Sequence, residues 1–115
     1  MAQIKIFGVK DNLAVNTLAL SSAIHRAVVE ALAYPFDKKF HRFIGLEKTA
    51  FIYPNDRSDN YIIIEISLFE GRSVEAKKSL IRLLFAYIEQ EVCIKPQDVE
   101  ITIFETPKYH WGIRG

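Results

Sequence analysis

Apolar and polar residues alternate at the amino terminus, where Ile4 and Ile6 are interleaved with Gln3 and Lys5, the period-two pattern of a half-buried strand. Asp11 and Asn12 then offer side-chain oxygens suited to a helix N-cap. Beyond them Leu13, Leu20, Ile24, Ala27, Val28 and Ala31 recur at helical spacing, leaving His25, Arg26 and Glu30 largely off the apolar face. Pro35 ends this helix, because proline lacks the amide donor and drives the preceding residue out of the helical region. A second strand is expected over 40–46, with Phe40, Arg42 and Ile44 on one face and His41 and Phe43 on the other.

Pro54-Asn55-Asp56-Arg57-Ser58-Asp59-Asn60 concentrates turn-forming residues and marks a seam over 47–60. The pattern then repeats. Ile62, Ile64, Ile66 and Leu68 define one face of a strand, opposite Ile63, Glu65 and Ser67. Gly71-Arg72-Ser73 turns the chain into a second helix with Ser73 as its expected N-cap. Leu80, Leu84, Tyr87 and Ile88 form its apolar stripe, widened by Ile81, Phe85 and Val92, and Pro96 stops the helical region. A fourth strand is expected where Val99, Ile101 and Ile103 alternate with Glu100, Thr102 and Phe104.

A strand–helix–strand crossover returns the chain parallel to itself, so each unit supplies a parallel strand pair. Units over 1–46 and 61–115, joined at the seam, predict one α+β domain: a two-layer α/β sandwich with a four-stranded mixed sheet and both helices on one face. The uncovered face, to which Ile63, Phe43 and Phe104 are assigned, then predicts an oligomer.

Composition narrows the functions. The 115 residues suit one domain, half of them hydrophobic and a quarter charged. Fifteen Lys and Arg against 14 Asp and Glu give a net charge of +1, which argues against nucleic acid as the main partner. No apolar run is long enough for a membrane span, and the amino terminus has no secretory pattern, so the expected location is the cytoplasm, away from membranes. A single cysteine, Cys93, precludes an internal disulfide and is expected to be a small core residue. His25, His41 and His110 are scattered without metal-ligand spacing, and no glycine-rich phosphate loop is present, so neither metal nor cofactor is expected.

The run Ile66-Ser67-Leu68-Phe69-Glu70-Gly71-Arg72-Ser73 resembles the strand-to-helix turn of 4-oxalocrotonate tautomerase, an apolar strand followed by Glu-Gly-Arg-Ser. The likeness runs ungapped through the helix and 98–103 to Trp111-Gly112-Ile113-Arg114-Gly115, similar to the aromatic-Gly-Ile-Gly-Gly tail of those short enzymes. The first half fits the same template more loosely. The chain therefore resembles the longer, fused branch of the tautomerase superfamily, which includes malonate semialdehyde decarboxylase and shares the fold of macrophage migration inhibitory factor. It is similar also to a bacterial group with Leu46-Glu47-Lys48 and Asp56-Arg57-Ser58-Asp59 segments.

This resemblance implies a homotrimer with sheets facing inward, acting on a small carboxylated enol or 2-oxo acid. Its chemistry rests on an amino-terminal proline, exposed after methionine removal, whose amine acts as a base near neutral pH; arginines bind the substrate carboxylate. Here the matching position is Ala2, a residue small enough that Met1 is expected to be removed, leaving a primary amine as the catalytic group. Arg72 matches the carboxylate-binding arginine of the turn, and Trp111 an aromatic wall of the site. Arg42 is a further substrate-binding candidate, because an arginine buried beside Phe40 and Ile44 needs an anionic partner. A second family arginine falls on Glu100, and the acid that decarboxylase relatives use falls on Lys38, beside Asp37, so neither role is carried over. The competing reading is a non-catalytic trimer that keeps the fold and binds a small anion or a partner.

Overall fold

The computed structural model describes all residues from Met1 to Gly115. Its elements are β1 (Ala2–Val9), α1 (Lys10–Leu32), β2 (His41–Leu46), β3 (Ile62–Phe69), α2 (Val74–Val92) and β4 (Val99–Thr106). The strands lie in the order β2-β1-β3-β4, with β1 parallel to β2 and β3 parallel to β4. The central β1–β3 pair is antiparallel and joins the two crossovers into one mixed sheet. Both helices pack on one face, giving the two-layer α+β architecture expected from the strand–helix–strand repeat.

Period-two patterning sets which side chains meet the helices. Ala2, Ile4 and Ile6 of β1 and Ile62, Ile64, Ile66 and Leu68 of β3 are buried beneath Leu20, Ile24, Leu80, Leu84 and Ile88. Each isoleucine or leucine among them contributes roughly 1.5–3 kcal/mol on leaving water. Ser73 caps α2 as expected, accepting from the Ala76 amide at 3.1 Å. Gly71, just ahead of it, adopts φ +115°, a conformation that side chains disfavour, which makes the sharp strand-to-helix turn possible.

Several local expectations are corrected. Helix α1 begins at Lys10, directly after β1, with Val9 at the cap position and no side-chain cap; Asn12 instead donates to Asn60 in the seam. Phe43 faces the helices, because its register partner is the core residue Ile6. Cys93 is exposed at the left-handed end of α2, not in the core. His25 is buried, and its Nε2 lies 2.6 Å from the Phe36 carbonyl, an acceptor only, so that nitrogen carries the proton.

The sheet face away from the helices is mixed in character. The pairings Lys5–Arg42, Lys5–Glu65 and Ile63–Glu100 place charges among Phe7, Ile44 and Ile63. Phe51, Tyr53 and Tyr61 of the seam cover one end by packing on Val9, Leu46 and Ile63. No helix is long and apolar enough to cross a membrane.

His41 links this core to acid stability. Its Nδ1 lies 2.9 Å from the Ser21 hydroxyl, and its pKa is lowered to about 4 by burial first, then by Lys39 and His25. The folded chain therefore resists protonation that the unfolded chain accepts from about pH 6.5 downward. Stability from this group is complete above the unfolded value and is lost as pH falls toward about 4. With screening allowed for, the loss is about 2 kcal/mol. Urea titrations at neutral pH and near pH 4 are expected to show a smaller acid loss in His41→Gln than in the parent chain. Equal losses in both would disprove the assignment.

Candidate active site

The amino terminus lies where β1, the loop after α1, and the carboxyl-terminal tail converge. Met1 and Gln3 line a cleft of about 750 Å³ with Asp37, Lys38 and Phe40 from that loop and Trp111 to Arg114 from the tail. The loop reaches the site because α1 stops at Ala33, whose left-handed φ of 49° reverses the chain ahead of Pro35. Tyr34, 6% exposed, is thereby turned inward, and its hydroxyl accepts a hydrogen bond from the Ala2 nitrogen at 3.0 Å.

The α-amine, which sits on Met1, is held below its ordinary value of 8.0 by burial first and then by the charges of Arg72, Lys38 and Lys108. Both effects disfavour the ammonium form, and together they enlarge the fraction of neutral amine available near pH 7. Lys38 and Arg114 against Asp37 give the cleft wall an excess of positive charge. Such a site favours an anion.

The residues singled out from sequence divide. Ala2 is 3% exposed beneath the cleft, one residue inside the amine. Trp111 stands on the cleft wall in a T-shaped contact with Phe69, centroids 4.9 Å apart, while Lys108 lies over the same Phe69 ring. Arg72 is half-buried, and its Nη1 donates to the Leu32 carbonyl at 2.7 Å. That carbonyl belongs to the last turn of α1, where the helix dipole favours a cation and no basic side chain of the helix itself is present. One of five guanidinium donors is used there, and Arg72 is not among the residues that line the cleft, though its charge acts on the Met1 amine.

For Arg42 the expected burial is corrected. The residue lies on the open sheet face, as its alternation with Phe43 implies, but it is exposed and needs no anionic partner. Its Nη2 donates to the neutral Oε1 of Gln3 at 3.0 Å, so it stands behind a cleft residue and does not line the cleft. Glu100 does not line the cleft, and its carboxylate accepts from Tyr61 at 3.0 Å. Tyr34, Lys108 and Arg114 were not singled out by sequence. A lone tyrosine before Pro35 carries no local signal, because its partner is 32 residues away. No group of three or more His, Cys, Asp or Glu side chains is gathered into a possible metal site.

Comparison with known proteins gives a consistent set of likenesses. A family model described as tautomerase enzyme matches residues 38–114. A probable tautomerase, YusQ of Bacillus subtilis (strain 168), is 30% identical over 98 residues, spanning 81% of this chain and 77% of that protein. The solved structure of a malonate semialdehyde decarboxylase superposes with a TM-score of 0.88 at 19% identity, covering 98% of this chain and 91% of that one. A fused 4-OT, solved as an asymmetric trimer, superposes with a TM-score of 0.85 at 20% identity, covering 98% of this chain and 93% of the other.

Proposed function

The chain belongs to the tautomerase family, and from that premise we propose that it relocates a proton on a small enol carboxylate or 2-oxo acid through its amino-terminal amine. The observation that carries this reading is the depression of the Met1 amine by burial and by Arg72, Lys38 and Lys108, at the mouth of a cleft with cationic walls. With Met1 removed, the Ala2 nitrogen becomes the free amine. It is a primary amine whose ordinary pKa of about 8 leaves roughly a tenth neutral at pH 7. In this reading Arg72, Lys38 and Lys108, which lower the Met1 amine one residue outward, act on it in the same direction.

In this reading the neutral amine takes the enol proton and returns it to carbon, so the net change is the loss of an O–H bond and the gain of a C–H bond. No cofactor is required. Arg72 holds the substrate carboxylate and steadies charge that develops on the enolate oxygen. Trp111 excludes water and fixes the plane of the conjugated substrate. Arg42 acts through Gln3, whose amide it orients toward the cleft. The trimeric state of the fused structural neighbour and the mixed apolar and charged face of the sheet support assembly as a homotrimer.

A second reading, a trimer that binds a carboxylated ligand without turning it over, is favoured by Glu100, which engages Tyr61 where the resemblance calls for an arginine. Turnover separates the two. The Met-processed protein is expected to accelerate ketonisation of phenylenolpyruvate, followed by ultraviolet absorbance, above the buffer rate. The rate is expected to rise with pH as the amine loses its proton, with a midpoint below 8.0. A rate no greater than that of buffer, alongside saturable binding of the same compound, would establish the second reading.

A further inference from the structure

We infer that the Tyr34 hydroxyl orients the free amine of Ala2, supplying by a hydrogen bond the directional constraint that a ring nitrogen has built in. The inference rests on the proposed function above and adds a positioning residue to it. A primary amine turns freely about its bond to Cα, so its lone pair has no fixed direction unless a neighbour holds one of its hydrogens. Tyr34 is that neighbour: with Met1 in place its oxygen accepts from the Ala2 peptide N–H at 3.0 Å, the nitrogen that methionine removal turns into the amine, and the two residues are 6% and 3% exposed. Water therefore competes poorly for the contact.

The tyrosine is itself held. Its amide donates to the Val29 carbonyl at 3.3 Å, and the Lys38 amide donates to the Pro35 carbonyl at 3.1 Å. Buried His25 fixes the same loop through the Phe36 carbonyl. An N–H committed to this oxygen leaves the remaining directions on nitrogen to the lone pair and to the substrate side. The charged groups that act on the Met1 amine, Arg72, Lys38 and Lys108, bear on protonation at the amino terminus but give no direction. Orientation and basicity are thus supplied by different residues and can be separated.

Tyr34→Phe keeps the ring and removes the oxygen. Because that oxygen accepts from the ammonium form, its loss is expected to lower the titration midpoint of the Ala2 amine, read by NMR on protein labelled with 13C at the alanines. More amine is then neutral at pH 7, yet kcat for phenylenolpyruvate is expected to fall about tenfold with little change in KM, because the base is misdirected. Lower pKa with lower kcat is a pairing that simple tuning of basicity does not produce. In an Ala2→Pro background the ring supplies the constraint, and Tyr34→Phe is expected to change kcat less than about twofold. An unshifted midpoint, or equal losses of kcat in both backgrounds, overturns the inference. A lowered midpoint with no turnover in either background overturns the proposed function and leaves the amine–hydroxyl contact standing.

Discussion

Acetylating the amine of the Met-processed chain is expected to lower kcat for phenylenolpyruvate by about 10²–10⁴-fold, the span that a positioned general base contributes. An amide nitrogen has no basic lone pair, so the proton carrier is removed while the cleft remains. The reaction is directed to this amine near neutral pH, because an α-amine has an ordinary pKa of about 8 against about 10.4 for a lysine side chain. Mass spectrometry of the amino-terminal peptide gives the extent of modification, and activity is expected to fall in proportion to it. Full activity in completely acetylated protein would remove Ala2 from the mechanism.

The elements of this fold were legible because local pattern decides them. Alternation in 62–68 places Ile62, Ile64, Ile66 and Leu68 on the buried face of β3, and Ser73 caps α2 for a reason contained within three residues. β2 was harder to read, since Phe40 and Ile44 compete with Phe43 for the apolar face, and only the register with Ile6 settles which side is buried. Burial of His25 was hidden for a related reason. It sits off the main apolar stripe of α1, and its cover is Phe36, which arrives through the loop beyond the helix. The candidate site follows the same division. Ala2, Arg72 and Trp111 were named by likeness to a motif, whereas Tyr34 and Lys108 come to the amine along paths that no spacing in the sequence encodes. The hydrogen bond from Arg72 to Leu32 likewise spans 40 residues.

That hydrogen bond makes Arg72→Ala informative in three measurements at once. As the carboxylate anchor, Arg72 is expected to be worth about 100-fold in kcat/KM, the range for one charge-assisted contact made in a dry site. As a cation near the amino terminus, it is the strongest of the charges that lower the Met1 amine, after burial itself, and is expected to act on the Ala2 amine in the same direction. Its removal is expected to move the acidic limb of the pH–rate profile upward but short of the ordinary value, because burial, Lys38 and Lys108 remain. As the only side chain seen to satisfy the Leu32 carbonyl, it is expected to stabilise the end of α1 by about 1 kcal/mol, read as a small fall in Tm. Arg72→Lys separates the three roles. Lysine keeps a charge, so the pH–rate limb is expected to stay in place, but it lacks the planar fork, so much of the loss in kcat/KM is expected to persist. If Arg72→Ala lowers Tm as described and leaves both kcat/KM and the pH–rate limb unchanged, the arginine serves the helix alone.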